Sequence, residues 1–207
     1  MRIGGSRVLR RSVSVGVAGI LLAVLGACTG RGGGYLPPSV GFNGQASLGF
    51  SFSCEDKGGL NPPTGKLSIQ LAYVEQGTYV FSSIAGQPFG IHGVVDVIDP
   101  VLESAICIGQ NPPPDPANTL IFLGRYWPTS TAPVGFPTSC AKKESRTAPS
   151  CRFEVEVRDN DSNHIPSKGD FFAIQLSSTT AVTSEFDPAT VFYARAGFLG
   201  GGNITVK

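Results

Sequence analysis

Between residues 48 and 54 the chain alternates: Leu48, Phe50, Phe52 and Cys54 are apolar, while Gly49, Ser51 and Ser53 are small or polar. A period of two sends successive side chains to opposite faces of a strand, so this segment predicts a strand with one buried face. The same pattern is cleaner at Leu67, Ile69, Leu71 and Tyr73, which are separated by Ser68, Gln70 and Ala72. Further strands are predicted over 78–84, 91–98, 104–108, 119–126, 152–158, 171–176, 191–196 and 203–206, with turn residues between them. In the 152–158 segment Phe153, Val155 and Val157 form the buried set, and Glu154 and Glu156 the solvated one. Asn111-Pro112-Pro113-Pro114-Asp115-Pro116 predicts an extended, solvated loop, because proline has no N–H to give to a ladder. Gly200-Gly201-Gly202-Asn203 supplies residues that tolerate positive φ, as a tight turn between the last two strands requires.

Short strands closely spaced by turns predict an all-β fold, specifically an antiparallel β-sandwich or a jelly-roll or barrel-like variant of it. Composition agrees. The chain has 27 Gly, 16 Pro and 13 Phe, only 15% charged residues and a single Met, which is poor material for helices.

The N-terminal region departs from this pattern. Arg2, Arg7, Arg10 and Arg11 are followed by an uncharged run over 13–25, rich in Val, Leu, Ala and Gly. A basic stretch before an apolar one is the layout of an export signal. The apolar run is well short of the roughly 20 residues a spanning helix needs, so it predicts a cleaved signal. Leu25-Gly26-Ala27-Cys28 then resembles the lipobox of bacterial lipoproteins, in which a branched apolar residue and two small ones precede the cysteine that receives diacylglycerol. The resemblance implies cleavage before Cys28, a lipid on that cysteine, and attachment to the outer face of the cell membrane or envelope. The alternative is ordinary cleavage with Cys28 an incidental thiol. The Arg10-Arg11 pair matches a twin-arginine signal in the pair alone: Leu9 precedes it in place of Ser or Thr, and Val13-Ser14-Val15 follows in place of an aromatic and a Lys.

The expected organisation is a signal peptide over 1–27, a lipidated N-terminus and flexible tether over 28–45, and one β-sandwich domain over 46–207. Gly32-Gly33-Gly34 and Pro37-Pro38 suggest the tether. Four of the 16 Lys and Arg precede Cys28, leaving 12 against 15 acidic residues, a balance that does not favour a nucleic-acid binder. With Cys28 lipidated, Cys54, Cys107, Cys140 and Cys151 are an even set in an oxidising compartment. Of the three pairings, Cys54 with Cys107 and Cys140 with Cys151 is favoured, the second closing what reads as an exposed hairpin tip. There is no CxxC pair, and His92 and His164 are the only histidines, which argues against zinc.

From residue 152 the chain reads Phe153-Glu154-Val155-Glu156-Val157-Arg158-Asp159-Asn160. After a polar loop come Gly169-Asp170-Phe171-Phe172-Ala173-Ile174, and the end is Ala194-Arg195-Ala196-Gly197-Phe198-Leu199-Gly200-Gly201-Gly202-Asn203-Ile204. Together with Gly32-Gly33-Gly34-Tyr35-Leu36-Pro37, the 46–54 strand and His92-Gly93-Val94-Val95-Asp96, this resembles an all-β domain of actinobacterial secreted proteins that often follows choice-of-anchor modules. The sequence departs from that pattern at Ser162-Asn163-His164-Ile165 and over 117–151. The resemblance implies a fold and an extracellular address, and no activity.

Candidate chemistry is sparse. Asp159, Asp161, Asn163 and Asp170 are spaced like the oxygen ligands of a calcium loop, although His164 stands where such a loop needs Gly and Asp170 where it usually has Glu. Asp and Asn also start turns unaided. Ser139 and Lys142 have Ser-x-x-Lys spacing without the motifs that would accompany a penicillin-binding fold, and no G-x-S-x-G elbow occurs. His92 with Asp96 and Asp99 could serve as a base, or be a structural histidine on a sheet face. Tyr126-Trp127-Pro128 could offer a platform to a carbohydrate or protein partner, or plug the end of a sandwich. The reading that follows is a non-catalytic envelope module with membrane attachment and an envelope protein or carbohydrate as partner. The alternatives are an exported hydrolase or ligand-binding lipoprotein, and a calcium-stabilised structural domain.

Overall fold

The computed structural model describes residues 28–55, 66–82, 84–94, 119–129, 134–140, 151–160, 169–180 and 187–206. Nearly everything described is strand: β1 (Cys28–Leu36), β2 (Ala46–Glu55), β3 (Lys66–Glu75), β4 (Tyr79–Phe81), β5 (Ile84–Gly86), β6 (Phe89–Val94), β7 (Thr119–Pro128), β8 (Cys151–Arg158), β9 (Phe171–Ser177), β10 (Val191–Phe198) and β11 (Gly201–Val206). A 3-10 turn, Pro188–Thr190, leads into β10, with the Asp187 carboxylate accepting from the Ala189 amide at 2.9 Å.

Nine strands form one sheet in the order β10-β9-β8-β7-β6-β3-β2-β1-β11, and every pairing is antiparallel. The sheet curls until its inner face meets itself. Phe50 on β2 lies 5.7 Å from Phe122 on β7 and 6.5 Å from Phe172 on β9, and Tyr73 on β3 stacks 6.2 Å from Phe172. The predicted all-β antiparallel sandwich is thus present, its two layers being halves of one sheet. β4 and β5 form a separate hairpin that brings Tyr79 onto Tyr193 and Phe89, with ring centroids 4.9 and 5.7 Å apart. Burying each such aromatic contributes roughly 1.5 to 3 kcal/mol, so the aromatic interior dominates stability.

Residues 28–36 correct one expectation. They are not a tether: β1 is an internal strand between β2 and β11. Its glycines are there for close approach. A Cβ on Gly30 would come within 2.5 Å of Leu120 Cδ2, and one on Gly32 within 2.9 Å of both Phe50 Cε1 and Ile204 Cγ1. The glycine run that reads as linker is a place where two layers and an edge strand meet with no room for side chains.

The predicted segment 78–84 is a hairpin, turning at Ser82 with φ 46°. The segment 104–108 and the proline-rich loop lie outside the described residues. Cys140 and Cys151 form the favoured disulfide, with Cα atoms 5.3 Å apart. Both cysteines are buried, so the bond pins the start of β8 from inside the core.

The sheet closes by side chains instead of a final ladder. β11 is an edge strand, and its Ile204 and Val206 amides donate to the Asp170 Oδ2 (2.6 Å) and Asp159 Oδ2 (3.2 Å) carboxylates. Unpaired edge amides are a template for aggregation, and here two carboxylates occupy them. Near the other end of β1, Arg195 on β10 donates to the carbonyls of Pro37 (2.8 Å) and Gly44 (2.9 Å).

Candidate functional site

Three groups of polar residues stand out, two internal and one external. The first surrounds Glu75 and Arg195, which are 0% and 2% exposed. Glu75 ends the inward-facing series of β3 after Ile69, Leu71 and Tyr73, so strand alternation carries a carboxylate into the core. Arg195 follows Tyr193 on the inner face of β10 and reaches it from the opposite layer. The Arg195 guanidinium donates to Glu75 Oε2, which also accepts the Tyr193 hydroxyl at 2.8 Å, while the Tyr73 and Tyr193 hydroxyls share a 2.5 Å hydrogen bond. Glu75 Oε1 accepts the Gly77 amide at 3.2 Å, and the guanidinium carbon lies 4.7 Å from the Phe42 ring.

Burial pushes the Tyr73, Tyr193 and Tyr126 hydroxyls well above their ordinary range, and Tyr79 up to about 12, with the Glu75 charge adding to the effect at Tyr79. At Arg195 burial lowers the pKa, but the hydrogen bond to Glu75 and the nearby charges outweigh it, and the net shift is upward. This group is fixed, charged and sealed from solvent. It can hold two layers together, but no external substrate reaches it.

The second group is the expected calcium loop. Asp159 and Asp170 are 6% and 3% exposed, and Asp170 Oδ1 also accepts the Asn160 amide at 3.0 Å. Both carboxylates face backbone amides as clamps on β11. Asp161 and Asn163 lie outside the described residues. Among the described residues no group of three or more His, Cys, Asp or Glu side chains could hold a metal ion.

The third group is the outer face over β11, β1, β2, β3 and β6. The cross-strand register lines up Asn203, Gly33, Gly49, Ala72, His92 and Trp127 in one row, and Thr205, Arg31, Ser51, Gln70, Val94 and Arg125 in the next. Because the first row is nearly devoid of side chains from Gly33 to Ala72, one shallow depression opens there, and a second lies beside it on the next row. One is lined by Gly49, Phe50, Ser51, Gln70, Leu71, Ala72 and His92, the other by Thr29, Gly30, Arg31, Ser51, Phe52 and Thr205; they meet at Ser51, and the two together are called the groove below. A Cβ on Gly49 would touch nothing within 4 Å, so this glycine leaves the groove floor open. The lining combines the hydroxyls of Thr29, Ser51 and Thr205, the Gln70 amide and the Arg31 cation with apolar surface from Phe50, Phe52, Leu71 and Ala72.

The remaining candidates lie only partly within the described residues. His92 sits at the groove end; Asp96 and Asp99 lie outside the described residues. Trp127 is 2% exposed, with the Arg125 guanidinium 5.0 Å from its ring, and Tyr126 is fully buried, its hydroxyl donating to the Ser177 carbonyl at 2.6 Å. Neither ring is open to solvent, so the pair offers no stacking platform. Ser139 Oγ donates to the Ser178 carbonyl at 2.7 Å, and Lys142 is outside the described residues. Glu154 and Glu156 share the outer face as expected; burial and then the neighbouring Glu156 raise the Glu154 pKa, and Glu156 pairs with Arg158 at 2.5 Å.

Sequence reasoning missed the Glu75–Arg195 pair and the groove. The first had a signal, since Glu75 falls in the inward alternation of β3. The groove is a product of register across five strands, and nothing local announces it. No described helix is long and apolar enough to cross a membrane. No family profile matches the chain, and no curated protein or solved structure shows significant similarity to it.

Proposed function

We propose that this chain is a lipid-anchored, non-catalytic module of the cell envelope that meets its partner through the groove on the outer sheet face. The observation that carries the non-catalytic part is where polar groups lie. The charged interior pair is closed on itself and sealed, whereas the accessible groove is lined by Ser, Thr, Gln and Gly beside Phe50, Phe52, Leu71 and Ala72, with Arg31 and His92 at its margins. Acid–base or nucleophilic work needs reactive groups that converge where a substrate can sit. The groove offers hydrogen-bonding length instead, which fits a glycan chain or an extended polypeptide of the envelope.

The anchoring part is supported by the basic and apolar leader and by Leu25-Gly26-Ala27-Cys28. A lipid on Cys28, the first residue of β1, would carry no spacer, and the β1–β2 end of the sheet would lie directly against the bilayer. The test is the intact mass of the protein purified from its own membrane fraction. An N-terminus at Cys28 with added acyl mass is the expected result; an unmodified chain, or one that retains residues 1–27, would sink the anchoring claim.

A further inference from the structure

The register of β1 against β2 places Cys28 directly opposite Cys54. Opposed residues in an antiparallel pair have Cα atoms about 4.5 to 5.5 Å apart, inside the roughly 4.4 to 6.8 Å that a disulfide spans. The two positions also share a face by counting: Cys28 falls in the alternation of Gly30 and Gly32, which pair with Phe52 and Phe50, and Cys54 falls in the alternation of those phenylalanines. A slip of one residue would undo this placement, and the register resists slipping. It runs unbroken from Cys28 opposite Cys54 to Leu36 opposite Ala46, and Gly32 sits against Phe50 where a Cβ would clash.

Cys140 and Cys151 are joined to each other, so Cys28, Cys54 and Cys107 are three sulfurs with one bond to share. We infer that Cys28 and Cys54 form a cross-strand disulfide in any exported chain whose Cys28 carries no lipid. Two thiols become one disulfide, and their two electrons and two protons pass to an exported thiol oxidant, whose own disulfide is reduced to a dithiol. Acylation and this bond are competing claims on one sulfur. A thioether to diacylglycerol leaves Cys54 to Cys107; a Cys28–Cys54 bond leaves Cys107 as a thiol and closes the cysteine to acylation. The partner of Cys54 therefore reports whether a given molecule was acylated, and acylation has to precede oxidation.

This inference shares Cys28 with the anchoring proposal but does not rest on it, and the two fail separately. Residues 1–27 are replaced by an ordinary cleavable export signal, so that the secreted chain keeps Cys28 without a lipid. Free thiols are alkylated and the protein is digested without reduction. The expected result is a linked peptide containing Cys28 and Cys54, together with alkylated Cys107. A Cys54–Cys107 peptide with alkylated Cys28, or three alkylated cysteines, overturns the inference. In the same background C107S is expected to show no alkylated thiol, and two alkylated thiols would overturn the inference from the other side. Acyl mass on the native precursor decides the lipid question by itself; its absence would remove the anchor and leave this disulfide standing.

Discussion

Replacing Arg195 by Met tests whether the curled sheet is held shut by one buried ion pair. Met is close in length, so the change removes charge and donors with little change in volume. Three things are lost. Glu75, fully buried, keeps only the Tyr193 hydroxyl and the Gly77 amide as donors, and the Pro37 and Gly44 carbonyls lose the guanidinium. Breaking a buried pair by removing one partner costs about 3 to 5 kcal/mol, mostly because the other charge is stranded. Against a typical domain stability of about 5 to 15 kcal/mol, R195M should therefore remove a large fraction. E75M should also be costly, since it strands the guanidinium. The double variant should cost less than the two singles added, with a coupling of about 2 to 3 kcal/mol, because no unpaired charge remains. R195K should fall between wild type and R195M, as an ammonium keeps the charge but cannot serve Glu75 and two carbonyls through a planar fork. The assay is urea unfolding of all variants with a common slope, read as a shift in midpoint. Single effects that add to within about 0.5 kcal/mol, or an R195M loss below about 1 kcal/mol, would refute the view that this pair closes the sheet.

Four further outcomes are expected. Tyr79, raised from 10.0 to about 12, and Tyr73, Tyr126 and Tyr193, raised in the same direction, stay protonated in the folded state after they ionise in the unfolded chain. Their stabilisation is complete below pH 10 and is lost above it, at up to roughly 5 kcal/mol per pH unit for four groups. Circular dichroism and the tyrosinate absorbance of four of the five tyrosines should then change together, and ionisation of two or more tyrosines well before loss of the fold would contradict this. Glu154 also has a raised folded-state pKa, so its contribution is present below the unfolded pKa of 4.5 and lost as pH rises through the folded value; E154Q should raise the thermal midpoint at pH 7 and leave it unchanged at low pH. D170A removes the acceptor of two backbone amides, those of Asn160 and Ile204, and should cost about 2 to 4 kcal/mol by urea unfolding, a smaller loss speaking against the clamp on β11. Gly49→Gln fills the groove floor where a Cβ meets nothing, and should abolish cross-linking to envelope partners while leaving the thermal midpoint within about 1 °C; retained cross-linking would move the contact surface elsewhere.

Strand existence was legible where side chains alternate. Leu48, Phe50 and Phe52 on β2, and Ile69, Leu71 and Tyr73 on β3, are buried as their spacing predicts. β1 was illegible for the opposite reason: Gly30, Gly32, Gly33 and Gly34 have no side chains to show a period, and the packing that requires Gly30 and Gly32 involves Leu120, Ile204 and Phe50, all distant in sequence. The acidic loop was half legible. Asp159 and Asp170 are both placed, but their partners on β11 lie 47 and 34 residues away, and spacing within the loop cannot reveal that.

The two closures divide the molecule into a part that cannot vary and a part that can. At one end Arg195 binds main-chain carbonyls after β1, and at the other Asp159 and Asp170 bind main-chain amides of β11. Both act on backbone groups, so the curl does not depend on which side chains the partner strands carry. Between them lies an aromatic interior in which each ring touches others, and changes of volume there are costly. The outer positions of β1, β2 and β3 have neither constraint: Arg31, Ser51, Gln70 and Gly49 contribute no core packing. Selection for recognition can act on these positions without cost to folding. On the proposed function, specificity would lie on the groove face, and the interior charges, despite their chemical look, belong to the frame.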